Sequence, residues 1–484
     1  MVLRCRVELA TRLSSDLSPA TVTVRARAAC EGRAGRILPP FPPHAPRFSV
    51  TDSQIDETHA PDRRSWIASA NDTHTEFPIQ NLPFGVFRQA GSDHAGRIGV
   101  AIGDRIVDLA GLASHLGNDI EDAATLLTAP SLAPLMGRAP ELWQALRRAL
   151  VRLLEAGSRD QGTVEPHLVA MADAEMLLPA RPGGFIDFFA SIQHATNAGS
   201  LFRPTAPLLP NYKYVPIGYN GRASTIRVDG TGVRRPNGQR LRPGEESPTF
   251  GPSLRLDYEM ELGIFLGGAS TVGEPVAIAD AWQHIFGVCL LNDWSARDIQ
   301  AWEYQPLGPF LGKSFATTIS PWIVTAEALK PFRVAASARP SGDPAPLPHL
   351  LDPADQAGGG VDIQVSAWLH AAGAAPTRLG SASAAGLYWT PAQMVAHQTS
   401  NGCNLEAGDL YGTGTISGDG AQALGSLLEI TRGGASPLAL SNGDSRTFLR
   451  DGDELVLTAR CERQGFAPIG FGACRGTILQ ALDI

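Results

Sequence analysis

The spacing of apolar residues predicts a small β-rich region in the first half of the chain. Short apolar runs in 97–109 lie on either side of a Gly-Asp turn, which predicts a β-hairpin. Helical spacing follows at about 120–128 and again at 140–156, where leucines recur three and four residues apart. We therefore predict that residues 76–180 form a β-rich domain with helical appendages.

The pattern changes at about residue 181, and 181–484 is the predicted catalytic domain. It consists mostly of short apolar runs separated by Gly, Pro and Asn, which is typical of strands joined by turns. Two stretches within it, 334–348 and 371–386, are rich in Ala and other small residues. We predict that both are surface loops.

The first 49 residues differ in composition from the rest, with eight Arg, no Lys and three acidic residues. A transit peptide, a disordered tail or an upstream stretch translated in error from a GC-rich gene would each give this composition. We favour the third, with Val50 marking a GTG start codon; N-terminal sequencing of native protein that begins at or near Met1 would contradict it. Residues 50–75 are polar, which predicts a flexible lead-in to the first domain. We therefore interpret 1–75 as a disordered or misannotated N-terminal extension with this lead-in.

Composition narrows the classes of function. The chain has 484 residues, 43% of them hydrophobic, which is enough for two domains or more. A net charge of -8 argues against nucleic acid as the main partner. Apolar runs of membrane-spanning length do not occur, and the six cysteines lack the spacing of a zinc or redox motif. Free thiols favour the cytoplasm.

An acidic strand gives the strongest chemical signal. Residues 256–265 alternate at their start, so Asp257, Glu259 and Glu261 are predicted to share one face. Neighbouring carboxylates repel each other unless a cation neutralises them, and hard divalent cations select carboxylate oxygens. The alternative is the solvated face of an edge strand. Apolar residues on the opposite face indicate that the strand borders a core.

A polar segment follows an apolar strand at 287–291. Asp293 lies at the end of that strand, where a helix is predicted to begin. Arg297, Gln300 and Tyr304 are spaced by three and four and would share one helical face. Such a face offers hydrogen-bond donors to an anion or a polarised carbonyl. The alternative is a capped helix with a surface salt bridge.

Two other segments are ambiguous from their pattern alone. Lys313 lies in a Gly-Lys-Ser sequence, but a phosphate-binding loop would need glycine at Leu307, so Lys313 is better interpreted as a point charge in a site. Asp187 and His194 lie close together along the chain. A single histidine is more often structural than catalytic, and the pattern pairs it with no partner.

Several strings of residues resemble the fumarylacetoacetate hydrolase family, and the resemblance extends from about residue 76 to the C-terminus. The most specific string is 292–315, whereas the acidic pattern alone is shared with a wider superfamily of β-diketone hydrolases, decarboxylases and isomerases. The strings are 77–87, 193–197, 218–224, 256–265, 292–315, 401–404 and 414–418.

The resemblance implies a mainly β fold with α appendages, made of a small SH3-like N-terminal barrel followed by a C-terminal β-roll, and a homodimer. It implies a hydrolase acting on the carbon–carbon bond of 4-fumarylacetoacetate, giving fumarate and acetoacetate in the last step of tyrosine and phenylalanine degradation. Its partner would be this small diketo acid, with no nucleic acid or membrane involved. The alternatives are a hydrolase of another β-diketo acid, or a decarboxylase or tautomerase of the same superfamily.

The resemblance also implies a role for individual residues. Residues at or near a site for Mg²⁺ or Ca²⁺ are Asp187, Glu259, Glu261, Asp293, Lys313 and Thr317. The general base is His194, oriented by Glu429, and the groups that stabilise developing charge are Arg297, Gln300 and Lys313. The substrate contacts are Phe189, Arg203, Tyr219, Gln300, Tyr304 and Thr415.

One departure from the family concerns Phe189, where the family has a tyrosine that contacts substrate. Phenylalanine keeps the ring and lacks the hydroxyl. One hydrogen bond, worth about 0.5–1.5 kcal/mol net, is therefore absent or replaced. Substrate preference is the property that this change affects most directly. A second departure, Asn220 in place of a histidine, is minor.

Overall fold

The computed structural model describes residues 55–117 and 120–483. The predicted extension 1–75 lies mostly outside these ranges. Its described part, 55–75, is packed against the rest of the chain, where the pattern had suggested a flexible lead-in. The His59 ring is buried and lies 2.8 Å from the Glu327 carbonyl oxygen, and the Trp66 indole donates to the Leu153 carbonyl at 2.9 Å.

The N-terminal region is a five-stranded antiparallel sheet in the order β4-β3-β2-β1-β5, with helices beside it. Its strands are β1 (Phe84–Gln89), β2 (Arg97–Ile102), β3 (Arg105–Asp108), β4 (Leu168–Ala170) and β5 (Ala174–Leu177). Its helices are α1 (Leu109–Leu116), α2 (Ala123–Leu127), α3 (Ala133–Met136), α4 (Pro140–Leu154) and α5 (Gln161–Val164). The predicted hairpin is confirmed as β2–β3, with Gly103 at φ 56° in its turn. The leucines of α4 that face the sheet are buried in a shared core.

The C-terminal region is built mainly from short strands, as predicted. They are β6 (Phe185–Phe188), β7 (Gly218–Asn220), β8 (Ile226–Val228), β9 (Val233–Arg234), β10 (Asn237–Arg240), β11 (Thr249–Pro252), β12 (Leu256–Asp257), β13 (Met260–Leu266), β14 (Ile285–Asp293), β15 (Ser295–Ala296), β16 (Thr317–Ile319), β17 (Val324–Thr325), β18 (Arg333–Val334), β19 (Gly360–Val361), β20 (Gln364–His370), β21 (Thr377–Ser383), β22 (Leu410–Gly412), β23 (Leu438–Ala439), β24 (Ser445–Arg446), β25 (Glu454–Cys461) and β26 (Ile469–Leu479). The helices are α6 (Ile192–Phe202), α7 (Arg297–Glu303), α8 (Leu311–Ser314), α9 (Pro353–Gly358), α10 (Pro391–Thr399) and α11 (Leu427–Ile430).

Short 3₁₀ helices connect several of these elements. They are Glu57–His59, Ala68–Asn71, Glu165–His167, Met171–Asp173, Ala223–Thr225, Ile278–His284, Lys330–Phe332, Pro348–Leu350 and Ala384–Gly386. Of all the helices in the described ranges, none has both the length and the apolar character needed to cross a membrane.

Two large sheets and four two-stranded sheets lie in the described part of the C-terminal region. An eight-stranded mixed sheet runs β7-β6-β22-β13-β14-β16-β8, with β17 also paired to β14. A five-stranded sheet runs β21-β20-β25-β26-β9. Strands β13 and β14 are buried along their whole length and pack against β20, β25 and β26. The mainly β architecture expected from the sequence is confirmed.

The prediction that 371–386 is a surface loop is wrong in part. Within 371–386, Thr377–Ser383 forms β21 and pairs with β20. Its small residues suit a crowded position, because a side chain on Gly380 would lie 2.1 Å from the Leu424 carbonyl oxygen. The other stretch, 334–348, is mostly irregular, as predicted.

Candidate active site

Four carboxylates meet at one end of the central strands of the eight-stranded sheet. Asp187 lies on β6, Glu261 on β13, and Asp293 is the last residue of β14. Glu259 immediately precedes β13. Each offers an oxygen that lies within 4.8 Å of the others, and all four side chains are buried. We call these four residues the acidic cluster.

A glycine makes this close approach possible. Gly412 on β22 pairs with Asp187 on one side and with Gly263 of β13 on the other, so it lies between two strands that carry acids. A Cβ at Gly412 would lie 2.6 Å from Asp187 Oδ1 and 3.0 Å from Glu261 Oε2. The missing side chain therefore leaves the space in which the two carboxylates face each other.

Burial and mutual repulsion act on the acidic cluster unevenly. Burial raises the pKa of Asp187 well above its usual value, and the charge of Asp293 raises it further. Burial also raises the pKa of Glu261 well above its usual value, and the charge of Asp187 raises it further. Burial also raises the pKa of Glu259, but Lys313 and Arg297 outweigh it and hold that pKa below its usual value. The positive side chains thus outweigh burial at Glu259, whereas the pKa values of Asp187 and Glu261 stay raised.

The part of the cluster with raised pKa values fits a divalent cation. Asp187 Oδ1 and Glu261 Oε1 are buried and have no hydrogen-bond partner among the described residues. Buried polar atoms in native proteins are nearly always paired. Mg²⁺ or Ca²⁺ would supply both the missing charge and the missing partner, because both ions take carboxylate oxygens.

Lys313 and Thr317 contact the acidic cluster as hydrogen-bond donors. The Lys313 ammonium donates to Glu259 and, at 2.7 Å, to Asp293 Oδ2. The Thr317 hydroxyl donates to Asp293 Oδ1 at 3.3 Å. An ammonium has no lone pair to offer a metal, so Lys313 neutralises the cluster and is not itself a ligand.

A histidine–carboxylate pair lies beside the acidic cluster. His194, buried in the first turn of α6, has Nδ1 2.7 Å from Glu429 Oε2 and Nε2 3.9 Å from Glu259 Oε1. Burial raises the pKa of Glu429, but the interaction with His194 and the hydrogen bonds from Asn197 and Ser426 hold that pKa below its usual value. A carboxylate that accepts from Nδ1 fixes the tautomer and leaves Nε2 free towards the cluster.

Arg297 links the acidic cluster to neighbouring groups. Its Nη1 lies 2.8 Å from Glu259 Oε1 and donates to Gln300 Oε1 at 3.4 Å. Its Nε donates to Asp257 Oδ2 at 2.9 Å. Of the three carboxylates that the alternation placed on one face, Glu259 and Glu261 belong to the acidic cluster and Asp257 does not.

A cavity of about 240 Å³ opens onto the cluster. Tyr219, Asp293 and Lys313 are among its lining residues. The Tyr219 hydroxyl donates to Asp293 Oδ2 at 2.7 Å, and burial raises its pKa well above the usual value. Thr415 Oγ1 is buried and has no partner within the described ranges. The Phe189 ring lies edge-on to the His194 ring at 5.3 Å.

Two of the expected substrate contacts make other hydrogen bonds in this structure. Arg203, just after α6, donates from Nη2 to the Pro207 carbonyl at 3.0 Å. The Tyr304 hydroxyl accepts from the Gln305 side chain at 3.2 Å, and its side chain is exposed. The structure does not bring either group to the acidic cluster.

Several supporting residues were missed by the sequence analysis. Three side chains donate to Glu429: Asn197 at 2.8 Å, Ser417 at 3.0 Å and Ser426 at 2.9 Å. Asn197 follows His194 by three residues and so shares its helical face, which is a signal that sequence reasoning had available. Ser426 precedes Glu429 by three residues, the spacing of a helix N-cap, so it too had a signal, whereas Ser417 and Gly412 have none.

Comparison with known proteins identifies the family. Residues 185–479 match the family described as Fumarylacetoacetate (FAA) hydrolase C-terminal, and residues 80–179 match Fumarylacetoacetase N-terminal. The chain belongs to the fumarylacetoacetate hydrolase family. It is therefore an enzyme, a hydrolase, as the resemblance implied.

Curated relatives of this family match most of the chain. The fumarylacetoacetase of Oryza sativa subsp. japonica is 44% identical, over 87% of this chain and 98% of its own length. That of Homo sapiens is 44% identical, over 86% and 99%. That of Caenorhabditis elegans is 45% identical, over 84% and 97%.

Proposed function

We propose that this protein hydrolyses 4-fumarylacetoacetate to fumarate and acetoacetate, the last step of tyrosine and phenylalanine degradation. The observation that carries the proposal is the buried His194–Glu429 pair beside the acidic cluster. It occurs in a chain that is 44% identical to proteins named fumarylacetoacetase over 98–99% of their length. A base next to a cation site is the arrangement that water-dependent cleavage of a diketo acid needs.

The four carboxylates of the acidic cluster are the proposed ligands of Mg²⁺ or Ca²⁺. Such an ion, when bound, supplies positive charge that orients the diketo oxygens and polarises the carbonyl to be attacked. Lys313 and Thr317 hold Asp293 from the side of the cavity. Their role is to fix the orientation of that carboxylate.

His194 is the proposed general base. Since Glu429 accepts from Nδ1, Nε2 is free to take a proton from a water molecule. The hydroxide adds to the carbonyl carbon, and the adjoining carbon–carbon bond breaks. Its electron pair passes to the acetoacetate carbon, which takes up the proton that His194 Nε2 removed from water.

Arg297, Gln300 and Lys313 are proposed to stabilise the negative charge that develops on the attacked carbonyl oxygen. Arg297 and Lys313 already meet at Glu259, and Gln300 adjoins Arg297, so the three groups lie on one side of the cluster. Fixed donors in a buried site stabilise such charge without reorganisation.

The proposed substrate contacts fall into two groups. In the first group, Phe189 lies beside His194 and Tyr219 beside the acidic cluster, and the buried hydroxyl of Thr415 has no partner among the described residues. Arg203 and Tyr304 would have to exchange their present hydrogen bonds for contacts with substrate.

A homodimer in the cytoplasm is the proposed setting. The β10–β11 hairpin lies against α7, and large apolar side chains near both are exposed: Phe250 at 61%, Leu307 at 96% and Phe310 at 64%. An exposed apolar patch of this kind is typical of an interface. The cysteines of the described residues are all free, which supports a reducing compartment.

Product analysis tests the proposed reaction. We expect purified enzyme with Mg²⁺ or Ca²⁺ to convert fumarylacetoacetate into equal amounts of fumarate and acetoacetate. Proton NMR measures both products. Release of carbon dioxide would indicate a decarboxylase, and an isomer without cleavage would indicate a tautomerase. Cleavage of a different β-diketo acid at a higher kcat/KM would place the specificity elsewhere in the superfamily.

A further inference from the structure

Asp257 is a fully buried carboxylate outside the acidic cluster, and its hydrogen-bond partners all donate to it. Oδ1 accepts from the backbone amides of Leu427 and Tyr258 at 2.8 and 2.9 Å. Oδ2 accepts from the amide of Leu428 and from Arg297 Nε, both at 2.9 Å. Two separate parts of the chain, the start of α11 and the side chain of Arg297, thus converge on one carboxylate.

The first connection leads to the general base. α11 is one turn long and carries Glu429 at its third position. Asp257 accepts from the first two amides of the helix, and Ser426 Oγ accepts from the third at 3.4 Å. Helices this short have little stability of their own, so contacts from outside fix their position. Asp257 therefore holds the element that orients His194 through Glu429.

The second connection leads to the acidic cluster. Arg297 lies between two carboxylates, with Nε donating to Asp257 and Nη1 2.8 Å from Glu259 Oε1. If Asp257 lost its charge, the buried guanidinium would be attracted more strongly to Glu259. Because Glu259 is a proposed ligand, the guanidinium would then compete with the metal for the same oxygen.

These contacts form two arms that start at Asp257. Asp257 accepts from Arg297, which also binds Glu259, and Asp257 accepts from the helix of Glu429, which binds His194. The two arms approach each other at His194 Nε2 and Glu259 Oε1, which lie 3.9 Å apart without a hydrogen bond. We propose that Asp257 is a positioning residue that sets the base and the acidic cluster at a fixed distance from each other. The proposal deepens the proposed function and rests on it; Asp257 contacts neither the ligand oxygens nor the cavity.

The variant Asp257→Asn tests both connections. Asparagine has the same shape, but its NH₂ group would replace one carboxylate oxygen. An N–H donor of a partner would then face another donor where it now has an acceptor. Asp453→Asn is a matched control, because Asp453 is also buried and holds Arg446 through two hydrogen bonds, at 2.9 and 3.0 Å, away from the site.

We expect Asp257→Asn to weaken binding of Ca²⁺ alone by about tenfold in isothermal titration, and to lower kcat at saturating metal by about tenfold. Asp453→Asn should lower Tm and leave both quantities unchanged. The proposal is overturned if Asp257→Asn behaves as Asp453→Asn does, with a lower Tm and unaltered Ca²⁺ affinity and kcat.

A second pair of variants isolates the connection to the base and needs no change at Asp257. Leu427→Pro removes the amide that donates to Asp257, at the first helical position, where proline is tolerated. Leu427→Ala removes a similar amount of apolar side chain and keeps the amide. We expect kcat of the proline variant to be about fivefold below that of the alanine variant, with the same KM and Ca²⁺ affinity.

Equal kcat in the two Leu427 variants would overturn this connection. The failure of this inference and the failure of the proposed function can be told apart. If the wild-type enzyme did not cleave fumarylacetoacetate, the proposed function would fail, whereas Ca²⁺ titration of Asp257→Asn against Asp453→Asn would still decide whether Asp257 positions the acidic cluster.

Discussion

At the scale of single residues, His194 is the proposed general base. We expect His194→Ala to lower kcat by about 10²–10⁴-fold, the range typical of a lost general base. Metal affinity should remain, because Nε2 lies 3.9 Å from the nearest cluster oxygen and Nδ1 is occupied by Glu429. Steady-state cleavage and Ca²⁺ titration measure the two properties. Joint loss of metal and activity would show that His194 is a ligand or a structural residue.

Phe189 provides a test of substrate contact. Its ring packs edge-on against His194 and, at 6.0 Å, against Tyr212, so a tyrosine fits the same packing. We expect Phe189→Tyr to lower KM for fumarylacetoacetate by up to about tenfold, which corresponds to one added hydrogen bond of 0.5–1.5 kcal/mol. An unchanged KM would show that another group already makes the contact that the hydroxyl would provide.

The acidic strand shows how far pattern alone reaches at this scale. Alternation predicted three carboxylates on one face, and the structure places Glu259 and Glu261, but not Asp257, in the acidic cluster. The reason is a break between β12 and β13, because Asp257 belongs to β12 and pairs with Ser295 of β15. A period of two cannot reveal where one strand ends and the next begins.

The partners of His194 show a second limit. Glu429 is 235 residues away along the chain, and no local spacing pairs the two. Family resemblance supplied that pairing, and it also supplied Asp187 and Asp293 as members of the acidic cluster. The fold makes these contacts by bringing β6, β13, β14 and α11 together, which is information that local periodicity does not contain.

At the scale of elements, β22 leaves space for the acidic cluster because it has a glycine, Gly412, between Asp187 and Glu261. We expect Gly412→Ala to weaken Ca²⁺ binding by about tenfold or more, because its Cβ would displace Asp187 and Glu261. Gly386→Ala is the matched control, since a Cβ there meets nothing within 4 Å. Isothermal titration compares the two variants. Equal Ca²⁺ affinities would show that the cluster tolerates the added carbon and that β22 does not define its spacing.

Elements with strong local signals were predicted well. The hairpin at 97–109 and the helix at 140–156 correspond to β2–β3 and to α4, whose buried leucines repeat at helical spacing. β21 was missed because its small residues carry no local strand signal. Its conformation depends on pairing with β20, which is a contact outside the segment itself.

At the scale of the whole molecule, the exposed patch near α7 predicts self-association. We expect the wild-type protein to be a dimer in light scattering coupled to size-exclusion chromatography, and Leu307→Glu to shift it towards monomer. Val272→Glu is the control, because Val272 is also exposed, at 74%, but lies outside the patch. A monomeric wild type, or the same shift in both variants, would contradict the proposed interface.

The sheet topology could not be predicted from the sequence. The domain boundary expected at about residue 181 stays a prediction. The parallel pairing of β6 with β22, which sets Asp187 beside Gly412, joins distant parts of the chain. Residues 1–54 of the predicted extension lie outside the described residues.

The central claim is metal-dependent hydrolysis of fumarylacetoacetate at the acidic cluster. It is tested most directly by following loss of the substrate's absorbance with purified enzyme, before and after EDTA treatment, and after addition of Mg²⁺ or Ca²⁺. We predict that EDTA abolishes the loss and that one of these ions restores it, with fumarate and acetoacetate as products. Cleavage that continues unchanged in EDTA, or no cleavage with either ion, would contradict this account.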